Sequence, residues 1–529
     1  MIVLVLTVFP IVTFLNAILN HPEHLPQLWE RSTLVALFNT LWVALSALVL
    51  SLAIAVPLAF CVTRTDIPFR NTLKKSFFFG YVLPPYLFAI AWITLAVPEV
   101  GLLNRTFGLS LNIYSLAGLI FVFTSAHLPI VFAACCQGME NFDPALEEAA
   151  RVFGARPLRV FFKITLPCLA PTIASSALLF FLTVTAAFGV PAIIGIPARL
   201  PVLTTKIYTL AKLGGLDGTY QAFIVSLWLL LTALLSLAMN QVIRKKMGYR
   251  LVGGKVSRPS LIPLGMIRIP ALVLTMGLAI ILVALPLGSI VLSSFLKIAG
   301  VLKWSNLSWG NYAYLFQMAE TQRSFINSVI LAVSTGLFCA IAGFLLSYLR
   351  ERSTLPGTEW LLRLASFPFA IPGTVLALAF IVSYGTGWGH QEIALLGSLS
   401  LVGMSYFAKD LALGVQTALP AMTQIDPTLD DAARVFGARP YQVLRWVLLP
   451  LMLPALFNAF FLTALPALSE LTMSVLLAGP GTETVGTVLY QLQDYANPLA
   501  SCALATILMI LLGVVFLIYK LIGRMVASA

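Results

Sequence analysis

Asp143-Pro144-Ala145-Leu146-Glu147-Glu148-Ala149-Ala150-Arg151-Val152-Phe153-Gly154-Ala155-Arg156-Pro157 is a stretch that this chain carries twice, in closely matched form. The second copy runs from Asp426-Pro427 through Asp430-Asp431-Ala432-Ala433-Arg434-Val435-Phe436-Gly437-Ala438-Arg439-Pro440. Both copies continue to a Leu-Pro pair, Leu166-Pro167 and Leu449-Pro450. The differences 426 − 143, 437 − 154 and 450 − 167 all equal 283, so the block repeats without a gap, and residues 151–157 recur unchanged as 434–440. Chance does not produce such a match. The chain is an internal duplication, and the period governs how the rest is read.

The residues of the block specify a short helix, a turn and a second helix. Asp143 suits the N-cap and Pro144 the first helical position, where a missing N–H costs nothing. Glu147 and Glu148 fall in the first turn, at the end of the helix dipole that favours negative charge. Gly154 stands where a left-handed residue closes a helix, and Pro157 can open the next one. Ala149, Ala150 and Val152 are then available for docking. The second copy offers the same elements, with Asp430, Asp431, Ala432, Ala433 and Gly437 in the matching places.

Around the blocks the chain is built for a membrane. Of its 529 residues, 60% are hydrophobic and 10% charged, and its mean hydropathy is +0.96. At about 20 residues per helical span, the apolar runs predict twelve transmembrane helices. Six lie near 2–19, 34–61, 76–97, 114–136, 168–190 and 220–242, and six near 269–294, 326–349, 364–384, 394–417, 455–477 and 498–519. The expected fold is therefore all-α and polytopic, in two parallel six-helix repeats. The first half is residues 1–250 with its block at 143–167, and the second is residues 251–529 with its block at 426–450. A basic stretch around Gly253-Gly254 joins them. The opening apolar run lacks a basic leader and a small-residue cleavage site, which favours a retained first span over a signal peptide.

Sidedness follows from the basic residues. A net charge of +12 is compatible with nucleic acid, but its distribution fits a membrane protein instead. Placing both blocks on one side puts 23 of the 32 Lys and Arg there and eight on the other, with Lys409 inside a span. By the positive-inside rule the blocks and both termini are cytoplasmic. Weaker echoes support the duplication: Asn39-Thr40 with Asn327-Ser328 and Pro84 with Pro372, both offset by 288, and Tyr208 with Tyr490, offset by 282. Six spans separate the blocks, an even number, so the halves are parallel.

Candidates for chemistry are few. Gly253-Gly254-Lys255-Val256 lacks the Ser/Thr and the upstream glycine of a phosphate-binding loop. No nucleophile–base arrangement stands out, so no catalytic residue, metal ligand or cofactor is expected. The six cysteines have neither disulfide-framework nor zinc spacing and suit packing. His21-Pro22-Glu23-His24 reads as a solvated loop. Glu470, Lys409 and Asp410 lie inside spans, where ionisable groups are costly and usually face a cavity or a partner. Position 187, matching Glu470 at 283, is alanine, and His127 matches Asp410.

The pattern Glu148-Ala149-Ala150, then Gly154, then Ile164-x-Leu166-Pro167 resembles the EAA loop of ABC importer permeases. The second copy departs modestly, with Asp431 for the glutamate and Val447 for the isoleucine. The resemblance covers essentially the whole chain as two fused permease halves. It implies the type I importer fold in the bacterial inner membrane, with the blocks as coupling helices for cytoplasmic ABC ATPase subunits, a homodimer, and a periplasmic binding protein delivering substrate. The stretches 188–197, Leu203-Thr204-Thr205, Ser469-Glu470-Leu471 and 479–484 are similar to fused permeases of ferric-iron importers. On that resemblance Glu470 lines the translocation path and the cargo is ferric iron. The first-half position that is often acidic in those relatives is Ala187 here. Related permeases for thiamine, phosphonates or polyamines, and an ATP-independent secondary transporter, are the alternatives.

Overall fold

The computed structural model describes residues 2–142, 145–246, 261–385, 395–494 and 497–528. Among them no strand forms, only three isolated bridges between helices. Asp143, Pro144, the Gly253-Gly254 linker and His390 lie outside the described residues.

Among the described residues, eight helices are long and apolar enough to cross a membrane: Arg31–Arg64, Leu116–Glu140, Phe161–Ala186, Asp217–Ile243, Gly265–Ser294, Ala319–Arg352, Pro440–Leu468 and Pro498–Gly523. Two bent pairs raise the number to ten. Arg70–Val82 and Pro85–Ala96 meet at 105°, and Thr358–Ala370 and Gly373–Gly385 at 109°. Each bend has a proline cause: the residue before a proline is pushed out of the helical region, and the proline gives no N–H to the turn below. Leu83 before Pro84 and Ile371 before Pro372 are both extended. The expected spans near 76–97 and 364–384 are thus each broken in the middle.

Two further runs expected as spans, near 2–19 and 394–417, are also helical among the described residues. The first apolar run forms Ile2–Thr7 and Phe9–Asn20, the second of only twelve residues. Val8 between them is itself helical and its amide bonds Leu4 O at 2.8 Å, so residues 2–20 continue for about 28 Å at 1.5 Å per residue, close to a bilayer core of about 30 Å. The run near 394–417 forms Leu399–Thr423, long enough at 25 residues, but Lys409 and Asp410 interrupt its apolar character.

Two compact units make up the chain, and neither is a sequence half. One consists of residues 31–206 and 231–311; the other of 1–30, 207–230 and 312–529. In the former, Arg31–Arg64, Leu116–Glu140 and Leu166–Ala186 pack on one another, and Gly265–Ser294 lies on the bent pair 70–96. In the latter, Ala319–Arg352, Leu399–Thr423 and Leu449–Leu468 pack together, and Phe9–Asn20 lies on the bent pair 358–385. Each first span therefore packs against helices of the other sequence half.

Small residues set the contacts. Thr40, Ala44, Ala47, Ser51, Ala55 and Ala59 are buried along one face of Arg31–Arg64, while Phe38, Trp42, Leu45 and Val49 are exposed on the other. That is the arrangement expected where lipid solvates the large apolar side chains and small residues allow backbones to approach. In the other unit Gly343 and Gly414 bring two helices into backbone contact. All six cysteines are free.

Candidate functional site: the paired helix–turn–helix blocks

Each block folds as its residues require. The first helix is Ala145–Val152 in one copy and Thr428–Val435 in the other. Gly154 (φ +81°) and Gly437 (φ +83°) are left-handed. Their amides donate to Arg151 O and Arg434 O at 2.9 Å, and the next amides donate to Ala150 O at 3.0 Å and Ala433 O at 3.1 Å. This paired closure satisfies carbonyls that the helix end leaves open. In the second block Pro427, not the expected Asp426, takes the N-cap position, and Asp426 accepts from the Thr428 amide at 2.9 Å. Hydrogen bonds from Thr428 hold the exposed Asp426 carboxyl below the usual carboxylate range.

The second helix of each block runs into a membrane span through one widened turn, Phe161–Thr165 and Leu444–Leu448. The Leu-Pro pair explains it. Pro167 and Pro450 give no N–H and crowd the carbonyl four residues back, so the turn opens to five residues.

The two blocks present the same face. Glu148, Ala149 and Gly154 are exposed and Ala150 is half-buried, as are Asp431, Ala432, Gly437 and Ala433 in the same order. Val152 and Phe153 are 85% and 90% exposed, and Val435 and Phe436 85% and 91%. Each block thus holds two large apolar side chains far out of the surface beside a glycine turn. Phe153 and Phe436 were not singled out from the sequence, although their place inside the unchanged run 151–157 was a usable signal.

Glu147 and Asp430 point the other way. Both are 4% exposed. Glu147 accepts from Arg64 at 3.2 Å, Arg151 at 3.3 Å and Thr165 at 2.7 Å. Asp430 lies 2.8 Å from Arg352, which also donates to Ile425 O at 2.7 Å. The five expected coupling residues of each block thus divide into four that face outward and one carboxylate that faces inward.

Glu470 follows the span ending at Leu468. Its carboxylate accepts from the Met473 amide at 2.9 and 3.0 Å, from the Ser474 amide at 3.1 Å and from the Ser474 hydroxyl at 3.1 Å. Ser474 is bonded in turn to the Tyr406 hydroxyl. Glu470 therefore caps the short helix Ser474–Leu477. The first half differs at these positions. Position 191, matching Ser474, is proline, with no amide proton to satisfy, and position 187 is alanine. Lys409 comes close to Gly373 and Asp410 is buried on the same helix. His127 is buried between Phe123 and Phe180, with ring centroids 5.5 and 5.8 Å away.

The weaker echoes also acquire contacts. Asn39 donates to Pro201 O at 2.9 Å and Thr40 accepts from the Leu203 amide at 2.9 Å. Asn327 donates to Glu483 O at 2.9 Å and Ser328 accepts from the Val485 amide at 2.9 Å. Tyr208 and Tyr490 stand edge to face at 6.3 Å.

Comparison with known proteins follows the duplication. The family model described as "binding-protein-dependent transport system inner membrane component" matches twice, over residues 51–249 and 352–527. The ferric transport system permease protein FbpB of Actinobacillus pleuropneumoniae is 24% identical over 483 residues, covering 88% of this chain and 68% of the relative. The Fe(3+)-transport system permease protein FbpB 2 of Haemophilus influenzae is 25% identical over 404 residues, covering 76% of each. A solved bacterial ABC transporter that imports alginate aligns with a TM-score of 0.40 at 20% identity, over 49% of this chain and 96% of that one.

Proposed function

The chain belongs to the family of inner membrane components of binding-protein-dependent transport systems, and from that premise we propose that it is the two-half permease of an ATP-driven importer of ferric iron. As a multi-pass inner-membrane transport subunit it provides the path. ATP hydrolysis takes place on separate cytoplasmic ABC subunits, one docked on each block, and a periplasmic binding protein delivers the cargo. The observation that carries the reading is the repeated outward face of Glu148, Ala149, Ala150, Val152, Phe153 and Gly154, matched by Asp431, Ala432, Ala433, Val435, Phe436 and Gly437. Its glycine turn and exposed phenylalanine make a compact projection for a cleft on each ATPase subunit. The 23-to-8 distribution of basic residues supports cytoplasmic blocks and termini.

Ferric iron as cargo rests on the two relatives named for ferric transport. Glu470 is the acidic group proposed to border the path in the second half, opposite Ala187. Oxygen is the donor that a hard cation prefers.

The test is reconstitution of the permease with ATPase subunits and binding protein in proteoliposomes, scored by uptake of radioactive ferric iron. Uptake should need both ATP and the loaded binding protein. Burying a phenylalanine is worth about 1.5–3 kcal/mol, so Phe153→Ala with Phe436→Ala should weaken ATPase docking by at least about tenfold. Uptake driven by an ion gradient without ATP would replace the reading with a secondary transporter. Uptake of an organic solute in place of iron would retain the importer and change its cargo.

A further inference from the structure

Among the described residues, two ion pairs have both partners less than a tenth exposed: Arg64 with Glu147, and Arg352 with Asp430. They are duplicates of each other, yet the duplication is not in register between their members. The arginines are offset by 288 and the carboxylates by 283, so 83 residues separate one pair and 78 the other. A five-residue change in the intervening chain has been absorbed and the same contact re-formed.

Stability does not explain the contact. A buried ion pair gains little over apolar residues of the same volume, and Arg64 Nε and Nη1 have no hydrogen-bond partner. A fixed geometry explains it better. Arg64 is the last residue of Arg31–Arg64 and Arg352 the last of Ala319–Arg352, helices of 34 residues each. At their other ends the same two helices hold another chain segment. Asn39 and Thr40 grip Pro201 and Leu203; Asn327 and Ser328 grip Glu483 and Val485. From Asn39 to Arg64 is about 37 Å along the axis at 1.5 Å per residue.

We infer that Arg31–Arg64 and Ala319–Arg352 are connecting rods, joined to the coupling helix of their own half by the Arg64–Glu147 and Arg352–Asp430 pairs and to the segment after the fifth span by Asn39-Thr40 and Asn327-Ser328. Movement of a docked ATPase subunit shifts the block helix; the buried pair passes that shift to the rod, and the rod passes it to the 201–203 or 483–485 segment. This rests on the reading that the blocks dock ATPase subunits. The arginines and asparagines act as positioning residues and touch neither nucleotide nor cargo.

The readout is substrate taken up per ATP hydrolysed in the reconstituted complex. Loss of folded protein lowers both rates together and leaves that ratio alone. Arg64→Met with Arg352→Met, and separately Asn39→Leu with Asn327→Leu, should retain bound ATPase subunits and lower the ratio by about tenfold, a coupling effect of ordinary size for residues in direct contact. The exchange of Arg64→Glu with Glu147→Arg should recover most of the loss. An unchanged ratio in assembled Arg64→Met/Arg352→Met complex overturns the rods and leaves docking intact. If the methionine variant does not accumulate, the exchanged pair decides: assembled and coupled supports the inference, assembled and uncoupled overturns it. Failure of ATPase subunits to bind the wild-type permease would instead remove the docking reading itself.

Discussion

Two positions show how a single residue can be set by backbone geometry. Gly154 and Gly437 are left-handed, and a Cβ at either would meet nothing within 4 Å. The penalty for a side chain there is conformational, about 1–2 kcal/mol for a left-handed L-residue, with no clash added. Gly154→Ala should therefore fold and tilt the second helix of the block only slightly. Gly154→Val with Gly437→Val should uncouple hydrolysis from uptake; double-valine complexes that assemble and transport normally would remove the turn from the mechanism. At Glu470 the carboxylate is occupied by amides of the next helix, while the first half has proline at 191 in place of Ser474 and alanine at 187. Glu470→Gln keeps an oxygen for the cap and removes the charge. If the charge borders a cation path, iron uptake should fall by about tenfold at constant protein level, within the about 1–4 kcal/mol of a single charge–charge contact near a surface. Unchanged uptake would leave Glu470 as a helix cap alone.

Elements in this chain are shaped by where prolines and glycines fall. Pro84 and Pro372 break the two spans at 105° and 109°, and Pro167 and Pro450 widen the turns by which the blocks enter the membrane. Gly343 and Gly414 act in the opposite sense, letting helices touch. A Cβ on Gly414 would lie 2.3 Å from Cys339 O, and one on Gly343 2.5 Å from the Gly414 carbonyl carbon. Backbone cannot swing away as a side chain can, so Gly414→Leu should cost at least the upper part of the usual 1–3 kcal/mol for overpacking. Thermal unfolding in detergent measures this, with Gly277→Leu as control because a Cβ there meets nothing. Equal melting temperatures for the two variants would show that the crossing is looser than drawn.

At the scale of the whole molecule the proposed orientation follows from the distribution of the basic residues. Single cysteines at Ser305 and Leu213 should react with a membrane-impermeant maleimide in intact cells. Cysteines at Leu355 and Tyr441 should react only after permeabilisation. All four positions are exposed, so a missing label reports the wrong side and not burial. Reversed labelling at either pair would reject the topology.

Residue order alone determined the duplication and the helix–turn–helix of each block, because each rests on local chemistry: a repeated run, a left-handed glycine, a Leu-Pro step. It also revealed the Asn39 and Asn327 echoes, though not their use. Tertiary structure decided the rest. Glu147 and Glu148 are adjacent carboxylates equally suited to a helix N-terminus, and Arg64, 83 residues away, together with Thr165 draws one inward. Hydropathy found the run at 2–19 but could not show that its helix packs against the bent pair of the other sequence half. Contacts between segments far apart in sequence follow from packing, and packing leaves no period in the chain from which they could be read.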